Sequence, residues 1–179
     1  MNVRIILSTQ DDAYIVRNLY PLYLHDLSEF SGEWANEHGV LEPTSVATLF
    51  EQGEVQKIWW EKPDVLYPFI IQADGRIAGF AFVARAPHVP EATDQVIHEF
   101  FVLHAFRGKG IGDRTASELF NRFPGQWQVE AMEKNLPAQA FWRRVVREYT
   151  RDRFEERSTR NEHGHPLFFR FESMAPLNR

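Results

Sequence analysis

The feature that most constrains this chain is a glycine-rich segment at residues 107–112, which reads Arg-Gly-Lys-Gly-Ile-Gly. Residues 94–103 before it are rich in Val, Ile and Phe and predict a strand, whereas residues 110–122 have the apolar spacing of a helix. Glycines let backbone N–H groups turn towards an anion, and a helix N-terminus adds the positive end of its dipole. Arg107 and Lys109 add formal charge. The segment therefore predicts a site for a phosphorylated ligand.

Two other phosphate-binding motifs compete for this segment. A P-loop needs a lysine followed by Ser or Thr, and the sequence contains no such pair. A dinucleotide-binding fold needs G-x-G-x-x-G at the start of a βαβ unit, whereas the glycines here are spaced G-x-G-x-G and follow a predicted hairpin. Glu130 nevertheless lies about 20 residues further on, where that fold places its ribose-binding acid. The P-loop is excluded, and the dinucleotide alternative stays open.

The N-terminal third of the chain is predicted to be mostly helical. A strand over residues 3–8 precedes a helix over residues 12–28, in which Pro21 predicts a kink or a division. Residues 29–43 lose this periodicity and predict a loop. Residues 44–61 return to helical spacing, with a break expected at Gly53.

The rest of the chain alternates between strands and helices. Residues 66–72 and 76–84 flank an Asp-Gly pair, which predicts a hairpin. After the glycine segment we predict a strand at 126–131, a helix at 137–147, and strands at 149–156 and 167–171. The whole order is strand, helices, three strands, helix, strand, helix and two strands. This order predicts an α+β fold, and the sequence has no internal repeat.

Length and composition limit the domain count and the partners. With 179 residues, of which 44% are hydrophobic and 25% charged, the chain has the size of one folded domain over residues 1–179. It has no cysteine, which excludes thiolate nucleophiles and thiolate metal sites. A formal net charge of -5 argues against nucleic acid and acidic membranes but tolerates a cationic small molecule. No apolar stretch approaches the roughly 20 residues of a membrane helix, so we expect a cytoplasmic protein, either monomeric or homodimeric.

Two motifs in the second half of the chain occur together in one known family. The first, [RQ]-x-x-G-x-[GA], is met by Arg107, Gly110 and Gly112. The second, N-x-x-A-x-x-[FL]-Y, begins at Asn135 and ends at Trp142, which stands in place of Tyr. In this order and at this distance, the pair resembles the acetyl-CoA signature of the GNAT superfamily of N-acetyltransferases.

The resemblance covers essentially the whole chain and implies a fold and a cofactor. The implied fold is a central, mixed, mostly antiparallel sheet of about six to seven strands flanked by helices. The implied cofactor is acetyl-CoA, with its pantetheine arm bonded by Asn135 in a cleft between strands ending near Val102 and Ala131. The chain departs from the family at His104 and Phe106, where the signature has Pro and Tyr. By this resemblance, the cofactor-binding residues are Phe101, Val102, Leu103, Arg107, Gly108, Lys109, Gly110, Ile111, Gly112, Asn135, Ala138, Phe141 and Trp142.

The resemblance also implies an activity, in which a primary amine of a small molecule or peptide attacks bound acetyl-CoA directly. An aliphatic amine is almost fully protonated at neutral pH, so a base is required. His98 and Glu99 are the candidates on the strand before the glycine segment. We favour His98 because an imidazole titrates near neutral pH. Side chains alternate along a strand, so the two residues should point to opposite faces unless a bulge intervenes.

The source of the proton for the leaving thiolate is a separate question. The usual acid of the family is a Tyr at the position of Trp142, and an indole N–H does not titrate. Tyr149 is a candidate substitute, although a core residue opening a strand is the alternative explanation, and solvent is another source. A chain without efficient transfer would be a CoA-binding regulatory module, which is the competing function.

Two further clusters each allow two interpretations. The aromatic cluster of Tyr14, Tyr20, Tyr23 and Phe30 either shapes an acceptor pocket or packs in the core. His163 and His165 flank a glycine but have no third ligand at a suitable spacing. They predict a surface turn, and we expect no metal site.

Overall fold

The structure is built on one seven-stranded mixed sheet, and this computed structural model describes residues 1–42, 45–160 and 164–173. The strands are β1 (Val3–Leu7), β2 (Leu66–Ala73), β3 (Arg76–Arg85), β4 (Gln95–Val102), β5 (Gly125–Ala131), β6 (Glu155–Ser158) and β7 (Leu167–Ser173). The helices are α1 (Ala13–Ser31), α2 (Leu49–Val55), α3 (Ile58–Glu61), α4 (Ile111–Arg122) and α5 (Leu136–Thr150). The spatial order of the strands is β1-β2-β3-β4-β5-β7-β6. Every neighbouring pair is antiparallel except β4 and β5, which confirms the predicted α+β fold.

The predicted hairpin joins β2 and β3. Asp74 and Gly75 have φ values of 49° and 75°, in the left-handed region that a two-residue hairpin turn requires. The two strands then pair from Ala73 with Arg76 to Leu66 with Ala84. The turn sets the pairing next to it, and a register shift between Ile71 and Gln72 changes the pairing further along the two strands.

Two apolar cores cover the two faces of the sheet. One core packs α4 and α5 on the strands and includes Phe120 and Trp127, both almost fully buried. The other packs α1 and α3 and includes Trp59. On β3, Phe80 belongs to the second core and its neighbour Ala81 to the first, as expected for side chains that alternate between faces. Both faces of the central strands are thus covered by helices.

Strands β4 and β5 pair at only one end. Their parallel register joins Gln95–Ile97 to Trp127–Val129 and goes no further. The remaining residues of β4 keep their antiparallel partners on β3, as far as Val102 with Gly79. An added Cβ at Gly79 would lie 1.9 Å from the carbonyl oxygen of Phe101, so only glycine permits this close approach. The sheet therefore opens between β4 and β5 while β4 stays attached to β3.

A bulge lies where β4 leaves β5. Phe82 of β3 is opposite Glu99, but the next residue, Val83, is opposite Ile97. His98 is therefore the extra residue on β4. Such a bulge bends the strand and re-aims its side chains.

The helical region near the N-terminus differs from the sequence prediction. Residues 44–61 were expected to form one helix broken at Gly53, yet α2 begins only at Leu49, where Thr48 and Glu51 form a reciprocal capping box. Gly53 lies inside α2, where an added Cβ would lie 3.3 Å from the Arg17 side chain. The division falls instead between α2 and α3, after Val55.

The ends of α1 and α5 also differ from the sequence prediction. Helix α1 continues through Pro21 and ends at Ser31, where Gly32 takes a left-handed φ of 74°. Residues 149–156 were predicted to be a strand, but α5 continues to Thr150 and only Glu155–Ser158 form β6. Helix α5 ends because Arg151 adopts a left-handed φ of 54°.

Within the described residues, none of the helices is both long enough and apolar enough to cross a membrane. The same part of the chain contains no group of three or more His, Asp or Glu side chains placed to hold a metal ion. His163 of the predicted polar turn lies outside the described residues. The backbone N–H of His165 donates a hydrogen bond to a Glu133 carboxylate oxygen at 3.0 Å.

Candidate functional site

Two cavities meet at the opening between β4 and β5. The larger cavity has a volume of about 810 Å³ and extends from the C-terminal half of α1 to the glycine loop and the first turns of α4 and α5. The smaller cavity, of about 410 Å³, lies against β4 and β5. Both volumes are typical of small-molecule and cofactor sites. Their shared wall consists of Tyr23, Leu27, Phe100, Asn135, Ala138 and Trp142.

The residues predicted to bind the cofactor converge on the larger cavity. All of them line it except Leu103 and Lys109. Leu103 donates its backbone N–H to the carbonyl oxygen of Ala78 at 2.8 Å. The Lys109 ammonium donates to the carbonyl oxygen of Ala105 at 2.6 Å. The fold thus brings the two sequence motifs together on one cavity.

The glycine loop forms a cradle for an anion. Gly108 and Gly110 have φ values of 70° and 72°, which favour glycine, and Gly110 caps the start of α4. The N–H groups in the first turn of a helix have no partner within it, and the positive end of the helix dipole lies there. Ile111, Gly112 and Asp113 of this turn line the larger cavity. The loop and the helix start therefore suit a phosphate group.

The positive side chains of this loop do not complete the cradle in the way the sequence suggested. The Arg107 Nε donates to the carbonyl oxygen of Val102 at 2.7 Å, and its guanidinium forms an ion pair with Asp26 of α1. His104 lies 3.3 Å from the same carboxylate. Asp26 therefore offsets the charge of Arg107, while Lys109 is turned towards its own loop. Attraction for an anion rests on the backbone N–H groups and the helix dipole.

The wall opposite α1 depends on close contact between α4 and α5. An added Cβ at Gly112 would lie 3.0 Å from the Phe141 ring, so glycine lets the two helices approach. An ion pair between Asp113 and Arg144 joins them, and Arg144 also lies 5.8 Å from the centre of the Phe141 ring. Arg144 is therefore a cation on the wall of the larger cavity.

Asn135 caps the start of α5 and also lines both cavities. Its Oδ1 accepts a hydrogen bond from the Ala138 backbone N–H at 3.0 Å, which caps the helix. Asn135 also lines both cavities. Since the cap uses the oxygen of the amide, the Nδ2 group is the part that can donate to a ligand.

His98 and Glu99 lie side by side, which corrects the expectation that they point to opposite faces. The bulge places the His98 Nδ1 3.5 Å from a Glu99 carboxylate oxygen and the imidazole ring 5.3 Å from that of Trp59. His98 lines the smaller cavity, with 56% of its side chain exposed, whereas Glu99 is only 14% exposed. Hydrogen bonding to Glu99 raises the pKa of His98.

Behind this pair, the Tyr23 hydroxyl hydrogen-bonds the Glu99 carboxylate, and burial raises the pKa of Tyr23. Tyr23 packs against the rings of Tyr20, Phe80 and Phe101 at 5.5–5.8 Å between centres. His98, Glu99 and Tyr23 thus form a continuous polar chain from the smaller cavity to the shared wall.

Tyr149 lies outside both cavities. It belongs to the last turn of α5 and not to a strand, and its hydroxyl donates to the Asn121 Oδ1 at 2.8 Å. The same hydroxyl lies 2.8 Å from the Ser173 Oγ. Tyr149 therefore ties α4, α5 and β7 together, and the structure does not bring it to the site of Trp142.

Asp26 lines the larger cavity and Glu130 the smaller one, but the sequence indicated no role for Asp26 and indicated Glu130 only as the acid of the dinucleotide alternative. Asp26 is 81 residues away from its partner Arg107, and no local pattern signals such a pair. Glu130 lines the smaller cavity beside His98 and raises its pKa further. Glu130 follows Val129, the last β5 residue that pairs with β4, so only the tertiary pairing of these strands brings it near His98.

The fold is similar to that of known acetyltransferase structures. An acetyltransferase from Thermus thermophilus superposes with a TM-score of 0.67 at 15% identity, over 96% of this chain and 97% of that one. The aminoglycoside acetyltransferase AAC(6')-Ib in complex with coenzyme A gives 0.64 at 19% identity, over 96% and 95% of the two chains. RimL, a ribosomal L7/L12 alpha-N-protein acetyltransferase in complex with coenzyme A, gives 0.65 at 12% identity, over 96% and 94%. At these identities the likeness shows the fold alone.

Sequence comparison identifies the family. No curated protein sequence matches this chain significantly. The family model described as "Acetyltransferase (GNAT) family" matches residues 26–146, which is more than half of the chain and includes both motifs. The chain therefore belongs to the GNAT acetyltransferase family.

Proposed function

We propose that this chain is an N-acetyltransferase that binds acetyl-CoA in the larger cavity and transfers the acetyl group to a primary amine. The observation that carries the proposal is the opening between β4 and β5, with an anion cradle at one end and the His98–Glu99 pair at the other. The proposed phosphate-binding surface and the proposed base would then face two cavities that share a wall. These are the two parts that amine acetylation from CoA requires.

The residues around the larger cavity fit CoA. The left-handed Gly108 and Gly110 and the first turn of α4 suit the pyrophosphate. The apolar shared wall, with Asn135 as a donor, suits the pantetheine arm. When bound, acetyl-CoA would supply an activated acyl group as a thioester. Arg144 is paired with Asp113, so the backbone N–H groups and the helix dipole would supply most of the attraction for the phosphates.

The smaller cavity suits the amine. Its lining includes Glu130 and two histidines, His88 and His98, and among the described residues that line it none is Lys or Arg. A cationic amine would therefore meet favourable charge there. The structures of similar fold include AAC(6')-Ib in complex with coenzyme A and kanamycin, and RimL, whose name specifies a protein N-terminus. These precedents support an amine of either a small molecule or a peptide.

His98 is the proposed base, with Glu99 behind it. The contact between His98 Nδ1 and Glu99 leaves Nε2 to accept a proton from the amine. The carboxylate stabilises the protonated imidazole, in keeping with the raised pKa of His98. Glu99 alone is less accessible, since its side chain is 14% exposed.

Binding and thiol release together test the proposal. Calorimetric titration should detect acetyl-CoA binding, with NAD as the control ligand for the dinucleotide alternative. Release of free CoA should then depend on an amine from a panel of polyamines, aminoglycosides, amino acids and peptides. Binding of CoA without release by any amine would favour the regulatory module, and binding of NAD alone would overturn both functions.

Three features of the whole protein stay predictions from the sequence. We expect a single domain over residues 1–179, a cytoplasmic location, and either a monomer or a homodimer. Chromatography coupled to light scattering would determine the last of these.

A further inference from the structure

Amide formation from a thioester needs a proton at the sulfur as well as a base at the nitrogen. Trp142 occupies the shared wall, where its ring packs 5.0 Å from that of Phe100, and its indole N–H does not titrate. Tyr149 lies outside both cavities. The acid must therefore be sought among the other residues between the cradle and the base.

The shared wall contains one side chain with an ionisable O–H. Of its six residues, Leu27, Phe100 and Ala138 are apolar, and Asn135 and Trp142 carry donors that do not titrate. The sixth is Tyr23, on α1. Among the described residues, these six line both cavities, so a group that contacts both the cofactor and the amine should be one of them.

Tyr23 is also connected to the proposed base. Its hydroxyl hydrogen-bonds Glu99, and Glu99 lies 3.5 Å from His98 Nδ1. Because burial raises the pKa of Tyr23, the phenol keeps its proton at neutral pH until a strongly basic group forms next to it. The chain from His98 to Tyr23 can therefore move a proton from the amine side to the sulfur side.

Resting on the proposed function, we propose that Tyr23 is the general acid that protonates the leaving sulfur. As the amine N–C bond forms and the C–S bond breaks, the amine proton passes to His98 and the Tyr23 O–H proton passes to the sulfur. Glu99 then relays the proton from His98 Nδ1 to the Tyr23 oxygen. For an amine that arrives neutral, the products are an amide and a free thiol, and the three side chains together regain their starting number of protons. His98 then carries its proton on Nε2 and returns to the Nδ1–H form by exchange with solvent.

Helix α1 offers a matched control in Tyr20. It lies one turn before Tyr23 and packs on the same Phe80 ring, but its hydroxyl is bonded to Gln56 and it lines neither cavity. Tyr23→Phe keeps the ring that contacts Phe80 and Phe101, so we expect this variant to fold. Tyr20→Phe removes a hydroxyl of the same helix without touching the shared wall.

A comparison of ligand affinities tests the proposed contact between the Tyr23 hydroxyl and the CoA sulfur without any turnover. The affinities of CoA and of desulfo-CoA, which lacks the sulfur, would be measured by calorimetry for the wild type, Tyr23→Phe and Tyr20→Phe. We expect Tyr23→Phe to lower the affinity for CoA by about three- to tenfold, since one hydrogen bond to sulfur is lost. The affinity for desulfo-CoA should fall by much less. Tyr20→Phe should change neither. Equal losses for both ligands, or no loss for CoA, would overturn the proposal.

Turnover then separates an acid from a residue that only positions Glu99. With acetyl-CoA, Tyr23→Phe should lower kcat by about 10²-fold. With the selenoester analogue of acetyl-CoA, the loss should nearly vanish, because a selenolate is a weaker base and leaves without a proton. The same loss with both donors would overturn the acid role. A sulfur-specific loss of affinity in a chain that acetylates no amine would instead overturn the proposed function itself.

Discussion

At the residue scale, the contact between His98 and Glu99 governs how activity should depend on pH. Glu99 raises the pKa of His98, and Glu130 of β5 adds to this effect. The imidazole is a base only above its pKa, so kcat/KM should fall as the pH drops through that raised value. Glu99→Gln removes the larger cause and lowers the pKa of His98. The acidic limb of the profile should therefore move to lower pH.

The measurement is kcat/KM against pH for the wild type and Glu99→Gln with one amine. Glu130 is unchanged in the variant, so the shift reports Glu99 alone. An acidic limb that stays in place, or moves to higher pH, would show that His98 is not the titrating base.

Gly110 tests the anion cradle. Gly110→Asp places a carboxylate where the N–H groups of α4 should meet phosphate, and we expect acetyl-CoA affinity to fall by at least about tenfold. Gly75→Asp is the matched control, because Gly75 has a similar φ of 75° in the β2–β3 turn, away from both cavities. Calorimetry should show normal affinity for this control. An equal loss of acetyl-CoA affinity in both variants would contradict the proposal that the glycine loop binds the phosphates.

At the scale of elements, the start of α5 combines stability with binding. Asn135→Ala removes a helix cap and should cost about 1 kcal/mol of unfolding free energy. Thr48→Ala removes the cap of α2 and should cost a similar amount. Only Asn135→Ala should weaken the binding of acetyl-CoA, because Thr48 lines neither cavity.

Denaturant unfolding and calorimetry on both variants separate these effects. Asn135→Ser restores a capping oxygen but not the amide donor, so it should recover stability and not affinity. Recovery of both would mean that Asn135 acts only as a cap.

The sequence predicted most elements, but not the features that depend on pairing. The glycine segment and the Asp-Gly turn are local signals, so the glycine turn that opens α4 and the β2–β3 hairpin were predicted correctly. The bulge at His98 follows from the register of β3 against β4, which no local pattern encodes. Helix α5 was predicted to end near residue 147, because Arg151 gives no glycine signal for its left-handed end.

At the scale of the molecule, the Asp26–Arg107 ion pair shows why the site could be only partly predicted. It joins α1, which carries Tyr23, to the loop that forms the cradle. The motifs indicated the larger cavity, since most of the residues that line it lie close to one of the two motifs in sequence. The smaller cavity, where we propose that the amine binds, is lined by residues of α1, β4 and β5 that have no shared spacing. Its identification required the tertiary structure.

The central claim is that the space between β4 and β5 carries out acetyl transfer to an amine. The most direct test is mass spectrometry of the amine after incubation with isotopically labelled acetyl-CoA and the protein. We expect an amine heavier by one labelled acetyl group, one free thiol for each amide formed, and loss of both products in Gly110→Asp. An unmodified amine in the presence of a chain shown to bind acetyl-CoA would contradict it.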